Sequence, residues 1–457
     1  MYTPLQSLRE GRWFKLICGA SFQHLPAIRN LTLAYALAGA DCVDVAADPA
    51  VIHAAKEGLA AAAGLGCDRL PWLMVSLNDG EDPHFRKAVF DPARCPTDCP
   101  RPCETICPAQ AITFARSADG YSGVIESRCY GCGRCLPLCP IQQIETQSTT
   151  ITPDMIPALL AQVDALEIHT QVGRLAEFQQ LWRAIREAIP VGIAPAAHRL
   201  KLVAISCPDG DGLIDYLRSL YQHISPEDHP LPCPVIWQTD GRPMSGDIGA
   251  GATRAAIKLG QKVLAAGLPG YVQLAGGTNH HTVPKLQALG LLYSEETVGQ
   301  LCTTASDSSS ASTLIAGVAY GSYARVLLSP ILDRLDAIAT RPPSGSASSP
   351  QAALAPEAQV NDNIQDNIHP SPQKTVENAP AYLENHPDLL AQAVAQAIAL
   401  VSQLKPSQLK PSQLKPSQPG AAPTTAAENP FLSTEPAAHS QISPRHPPIE
   451  PVLLKPG

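Results

Sequence analysis

The sequence predicts an α/β protein: a (β/α)8-barrel-like scaffold, broken after its third strand by a small α+β insert and followed by a disordered C-terminal tail. Three observations carry this reading. Eight short apolar runs recur between Phe14 and Gly321, and the early and middle ones start about 28 to 35 residues apart, the length of one βα unit. The third gap, Trp72 to Ala165, exceeds that length by about 60 residues, and eight of the 14 cysteines lie inside it. Finally, 20 of the 45 prolines crowd into the last 117 residues. The expected boundaries are 10–87 for the first βα units, 88–147 for the insert, 148–340 for the remaining units and 341–457 for the tail.

Composition narrows the class further. A chain of 457 residues exceeds what a single core supports, so more than one unit is expected. Its 33 basic and 41 acidic side chains, a net charge of −8, offer no basic surface for a nucleic acid. No apolar run approaches membrane-spanning length, and Arg9, Glu10 and Arg12 stand where a signal peptide needs an apolar stretch. A cytoplasmic protein is expected, whose cysteines are metal ligands or core thiols rather than disulfides.

Runs 14–20, 42–46 and 72–77 supply the first three strands, with a helical pattern over 25–38 after the first. Past the insert, a helix over 155–163 leads to strands over 165–168, 200–206, 235–238, 270–275 and 318–321. Helical patterns over 178–189, 212–223 and 252–266 lie between them. Short, continuously apolar runs suit parallel strands covered on both faces. An open doubly wound sheet is the competing arrangement.

The insert carries the strongest motif. From Cys129 the chain reads Cys-Tyr-Gly-Cys-Gly-Arg-Cys-Leu-Pro-Leu-Cys-Pro. In that spacing Cys129, Cys132 and Cys135 wrap one corner of an iron–sulfur cube, while Cys139 turns toward a second cluster. Gly131 and Gly133 let the backbone curl and aim amides at the sulfides. Upstream, Cys95, Cys99, Cys103 and Cys107 recur at every fourth position, and Cys107-Pro108 exits into a short strand. Ferredoxin topology then assigns ligands crosswise. Cys129, Cys132, Cys135 and Cys107 hold one cluster; Cys95, Cys99, Cys103 and Cys139 hold the other. The insert is thus expected to be ferredoxin-like, with two [4Fe-4S] clusters. The wider early spacing leaves a [3Fe-4S] cluster as the alternative at the second site. A zinc ion would more often use two separated C-x2-C pairs. Structural cysteines on a helix are the other alternative, opposed by Pro96, Pro100 and Pro102.

An insert after strand three leaves the barrel at its C-terminal face, where barrel active sites are built. Gly276 and Gly277 follow strand seven, and Gly321, Ser322 and Arg325 follow strand eight, where many barrels cradle a phosphate. In this they resemble flavin-mononucleotide (FMN) barrels, with tight-turn glycines as the plainer alternative. Asp240, Arg242 and Asp247 after strand six line the same mouth or form a capped loop. His280 and His281, adjacent on an extended segment, would point opposite ways and share no ion. Cys18, Cys42, Cys67, Cys207, Cys233 and Cys302 sit in or beside apolar runs, as core thiols do.

In the tail, Ser-Gln-Leu-Lys-Pro repeats three times from Ser402 to Pro416, and proline at every fifth position blocks regular structure. Within it, residues 381–404 place Leu389, Leu390, Val394, Ile398 and Val401 at helical spacing. That segment is either a transient solvent helix or a docking segment.

Four stretches, Cys95 to Cys103, Cys129 to Pro140, 238–251 and 317–325, together resemble the light-dependent period (LdpA) family of cyanobacteria, over residues 10–335. The resemblance implies an iron–sulfur protein that senses redox state and passes light-dependent information to the circadian oscillator. An input histidine kinase and Kai-type clock proteins would be its partners, and the eight cysteines of the insert its ligands; no catalytic residue carries over. The sequence is therefore read as a two-cluster redox sensor drawing electrons from quinone or photosynthetic donors. The alternative is an oxidoreductase passing electrons to a flavin or substrate in the barrel mouth.

Overall fold

The computed structural model describes residues 3–18, 25–80, 86–107, 110–114, 122–126, 128–129, 131, 133–148, 151–189, 200–241, 251–292, 311–339 and 381–405. The chain opens with a short helix, α1 (Pro4–Arg9), then β1 (Trp13–Ile17), α2 (Leu25–Leu37), β2 (Cys42–Ala46), α3 (Pro49–Gly64) and β3 (Trp72–Asn78). The start of α3 is marked by Asp48-Pro49. The Asp48 carboxylate accepts from the Ala50 and Val51 amides, and proline occupies the first helical turn.

The insert follows β3. Its strands β4 (Arg86–Val89) and β7 (Glu145–Ser148) pair antiparallel, Arg86 opposite Ser148. Between them lie α4 (Pro102–Ile106) and a second antiparallel pair, β5 (Ile112–Thr113) with β6 (Gly123–Val124). These pairs are separate from the barrel sheet, and the insert has its own small core around Ile112, Phe114 and Ile144.

The chain then resumes the barrel. α5 (Ile156–Leu160) leads to β8 (Ala165–His169), α6 (Leu175–Ala188), β9 (Leu202–Pro208), α7 (Leu213–Ile224), β10 (Val235–Asp240), α8 (Thr253–Ala265), β11 (Gly270–Ala275), α9 (Thr282–Ala288), β12 (Ala311–Tyr320) and α10 (Ser322–Ala339). Eight parallel strands close on themselves in the order β1-β12-β11-β10-β9-β8-β3-β2. Pairing of β1 with both β2 and β12, at Lys15 opposite Cys42 and Trp13 opposite Gly317, excludes the open sheet. β12 starts before the expected 318–321, because Ala311 and Ile315 add ladder pairs with β11 across register shifts. Inside the barrel, Trp13, Met74, Leu202 and Ile236 form an apolar plug that Leu8 of α1 covers from below.

One expectation is corrected. Residues 381–405, assigned by composition to the disordered tail, include a 3-10 turn (Leu383–Asn385) and an α-helix, α11 (Pro387–Val401), packed against α2 and α10. Leu389, Leu390, Val394, Leu400 and Val401 are buried. Arg29 of α2 forms a two-pronged pair with Glu384 and stacks over the Tyr382 ring at 4.1 Å. Lys405, in the first copy of the repeated pentapeptide, donates to Asp41 Oδ1 at 2.7 Å and to the Gly39 carbonyl at 2.8 Å. The helical pattern is local, but the groove that receives it exists only once α2 and α10 are side by side. The other pentapeptide copies and the rest of the tail lie outside the described residues.

Candidate metal centre

Of the described insert cysteines, Cys103 lies in a short helix and the others are positioned by turns. Asp91 caps a 3-10 turn (Pro92–Arg94) that delivers Cys95. Cys103 lies within α4, and Arg101 at its start adopts φ 54, with its guanidinium 4.3 Å over the Phe114 ring. A second 3-10 turn (Leu136–Leu138) is bracketed by Cys135 and Cys139. Cys103, Cys135 and Cys139 are buried in the insert core, with Cys95 and Cys107 packed against it.

Two side chains far apart in sequence meet on one residue, Gln143. Its carboxamide Nε2 donates to Cys95 Sγ at 2.8 Å. Its backbone N–H also lies near Cys139 Sγ and favours the thiolate, as do those of Ile141, Ile144 and Gln142. Burial alone raises the Cys139 thiol pKa, but these amides outweigh it, and the net shift is downward. Cys95 is shifted up, first by burial and then by the nearby Cys99 and Cys139. Cys103 is likewise raised by burial, with Cys95 and Cys139 close enough to add to the shift. Cys95, Cys99, Cys103 and Cys139 thus share one electrostatic neighbourhood.

Of the other predicted ligands, Cys107 Sγ accepts the Ala111 amide at 3.2 Å, and Cys129 closes a turn on the Ile125 carbonyl at 3.1 Å. Cys132 lies outside the described residues. Gly131 and Gly133, at φ 75 and 71, hold the left-handed conformations that a curled thiolate loop requires. A Cβ on Gly131 would collide with the Arg86 carbonyl of β4. Among the described residues no three His, Cys, Asp or Glu are gathered to single-ion distances. Soft sulfur donors, inward-facing amides and glycine cradles match what a polynuclear iron–sulfur group requires.

The barrel-mouth candidates are placed as follows. Gly276 and Gly277 turn at φ 65 and 90, and a Cβ on Gly277 would come 2.8 Å from the Ala252 carbonyl. The loop beyond them is held by its own bonds: Thr278 to the Ala319 carbonyl at 2.6 Å, and the His281 amide to Asn279 Oδ1 at 2.9 Å. Gly321 leads into α10, whose Arg325 donates to the Ile17 carbonyl at 2.9 Å and to Ser322 Oγ at 3.2 Å. Burial lowers the Arg325 pKa. Ser206 donates to Asp240 at the end of β10; Arg242 and Asp247 lie outside the described residues. His280 and His281 depart from expectation, with ring centroids 3.7 Å apart. The segment is helical at His281 rather than extended, which turns both rings to one side. The described non-cluster cysteines are free thiols: Cys18, Cys42 and Cys207 are buried and Cys67 and Cys233 partly so, while Cys302 lies outside the described residues.

Sequence reasoning missed a buried polar layer in the barrel: Lys15, Asp44, Glu167, Gln238 and Gln273. Its signal was legible, since Lys15, Asp44, Glu167 and Gln273 interrupt, and Gln238 ends, strand runs read as continuously apolar.

Comparison with known proteins bears on both parts of the chain. Residues 95–150 match the family model of the LdpA Fe-S cluster-binding domain, and residues 159–403 that of the light dependent period A C-terminal domain. The second match includes α11, which the sequence resemblance had left out. The chain is also 48% identical over 405 residues to light dependent period A from Synechococcus elongatus, covering 88% of this chain and 94% of that relative. On sequence and architecture together, the chain belongs to the light dependent period A family, with an iron–sulfur cluster-binding domain set into a closed (β/α)8 barrel.

Proposed function

We propose that this is a redox-sensing iron–sulfur protein acting in light-dependent control of circadian period, with two clusters in a ferredoxin-like insert. The observation that carries the reading is Gln143, whose carboxamide bonds Cys95 Sγ while its backbone amide favours thiolate at Cys139, two cysteines separated by 43 intervening residues. That pairing is the crosswise one: Cys95, Cys99, Cys103 and Cys139 at one site, and Cys107, Cys129, Cys132 and Cys135 at the other. Bound clusters supply one-electron redox chemistry.

The chain's own residues set the conditions for a sensor. Amides 141–144 favour thiolate at Cys139, and the insert core buries Cys103, Cys135 and Cys139 while Cys95, Cys99, Cys107 and Cys129 stay partly exposed. Lys87 of β4 lies 3.6 Å from Asp48 Oδ2, while the other carboxylate oxygen caps α3. Lys87 also donates to the Glu126 carbonyl at 2.9 Å, so a shift within the insert is felt at the start of a barrel helix. A sensor needs such a difference between states for a partner to read. Candidate readers are an input histidine kinase and Kai-type clock proteins, with quinone or photosynthetic carriers as electron source; the relative's name supports the light-dependent setting.

The test is anaerobic purification of the full chain, with iron and sulfide analysis and electron paramagnetic resonance. Two cluster signals are expected, with Cys95→Ser and Cys139→Ser each removing the same one and Cys129→Ser removing the other. Different signals lost in the Cys95 and Cys139 variants would overturn the crosswise assignment, and absence of sulfide would overturn the cofactor.

A further inference from the structure

The insert is an imperfect repeat. From Cys107 to Ile112 it reads Cys-Pro-Ala-Gln-Ala-Ile, and from Cys139 to Ile144 it reads Cys-Pro-Ile-Gln-Gln-Ile. The likeness extends to the backbone. Gln110 and Gln142 are both left-handed, at φ 48 and 51, and their amides donate to the Cys107 and Cys139 carbonyls at 3.1 and 3.0 Å. Ile112 and Ile144 both enter the insert core. The cysteine loops ahead of these halves also correspond. Cys99 to Cys103 reads Cys-Pro-Arg-Pro-Cys and Cys132 to Cys135 reads Cys-Gly-Arg-Cys, each with one arginine between two cysteines.

At those arginines the repeat breaks. The upstream loop is one residue longer, and its arginine is turned onto the core. Arg101 takes φ 54 and ψ 54, a left-handed conformation that is unfavourable with a Cβ and persists only where the surroundings hold it. Phe114 holds it: this ring is buried in the insert core and carries the guanidinium at 4.3 Å. Arg101 is therefore half-buried, whereas its counterpart Arg134 is exposed, where water and salt screen the charge. The Arg101 charge also reaches the cysteines around it. Burial is the first influence on Cys95 and raises its pKa, and Arg101 draws it back toward thiolate. The extra residue of the upstream spacing thus has a physical use, since it gives the loop the turn that lays its arginine on Phe114.

We propose that Arg101 makes the two cysteine sites unequal, raising the reduction potential of the cluster held by Cys95, Cys99, Cys103 and Cys139. This rests on the two-cluster reading above. Reduction adds one negative charge at that site, and a fixed, half-buried cation favours the reduced state over the oxidised one. The guanidinium remains charged throughout the working pH range, so its influence is constant. Arg101 acts through its charge and its perch on Phe114. The loop's carboxylates, Asp98 and Glu104, contribute with the opposite sign and are untouched by the substitutions below.

Redox titration of the anaerobically purified full chain, followed by paramagnetic resonance, tests this. Arg101→Gln should lower the midpoint of the signal that Cys95→Ser removes and leave in place the one that Cys129→Ser removes. Arg101→Lys keeps the charge and should recover part of the lost midpoint. Arg134→Gln, at the exposed counterpart, should move neither midpoint in high salt, whereas the Arg101→Gln shift should persist there. Phe114→Leu releases the guanidinium toward water and should lower the same midpoint by a smaller amount. That variant decides the matter if Arg101→Gln does not retain its iron. An unchanged midpoint in the iron-loaded variant, equal displacement of both signals, or a lysine variant no different from glutamine would overturn the proposal. Failure of the two-cluster reading is distinguishable, because wild type itself would then lack two signals.

Discussion

Gln143 donates its carboxamide to the sulfur of Cys95 at 2.8 Å while its own backbone amide serves Cys139. One residue thereby organises two cysteines from opposite ends of the insert. Hydrogen bonds to cluster sulfurs favour the reduced, more negative state, so their loss lowers the reduction potential. On the proposed two-cluster reading, Gln143→Leu should shift one cluster's midpoint downward and leave the other in place, with iron content retained. A redox titration followed by paramagnetic resonance reads this; an equal shift of both signals would contradict a role confined to the Cys95 and Cys139 site.

Gly131 is fixed by two independent constraints, a positive φ and the Arg86 carbonyl lying where a Cβ would go. Gly131→Ala must move either its own loop or β4. Iron per chain after anaerobic purification should fall, while the far-ultraviolet circular dichroism of the barrel is preserved.

Lys405 is the other end of a buried pair, its Nζ 2.7 Å from Asp41 Oδ1. Lys405→Ala strands the Asp41 carboxylate in the interior, and breaking a buried pair this way costs about 3 kcal/mol or more. A lower midpoint in urea unfolding is expected. Truncation after residue 380 should cost more still, because it also exposes the α2 and α10 faces that Leu390, Val394 and Val401 cover.

Asp48 both caps α3 and meets Lys87, yet burial, its largest influence, raises its pKa in the folded state. A raised folded-state value means that the folded protein binds the proton more tightly than the unfolded chain does. Stability from this group is therefore greatest at low pH and declines as pH rises through the folded value. Asparagine keeps the cap. The stability difference between wild type and Asp48→Asn should consequently move in favour of wild type as pH falls from neutrality. Denaturant midpoints measured across that range would show it, and a difference independent of pH would contradict it.

Sequence alone reached the barrel because its signal is periodic. Apolar runs such as those containing Val43 and Leu166, spaced by one βα unit, specify strands before any contact is known. The cysteine spacing from Cys129 to Cys139 likewise declares iron–sulfur chemistry through local geometry alone. Tertiary structure decided what depends on distant partners. Nothing local places Gln143 between Cys95 and Cys139, or turns Leu389 to Leu404 from a solvent helix into part of the barrel's outer layer. The polar layer shows the division most clearly. Lys15, Asp44, Glu167, Gln238 and Gln273 are each one polar residue in an apolar run, and a single strand cannot say whether such a residue faces water or its counterparts. Closure of the barrel answers that, because only then do inward-facing positions of eight strands share one dry interior, where each charge must find a partner.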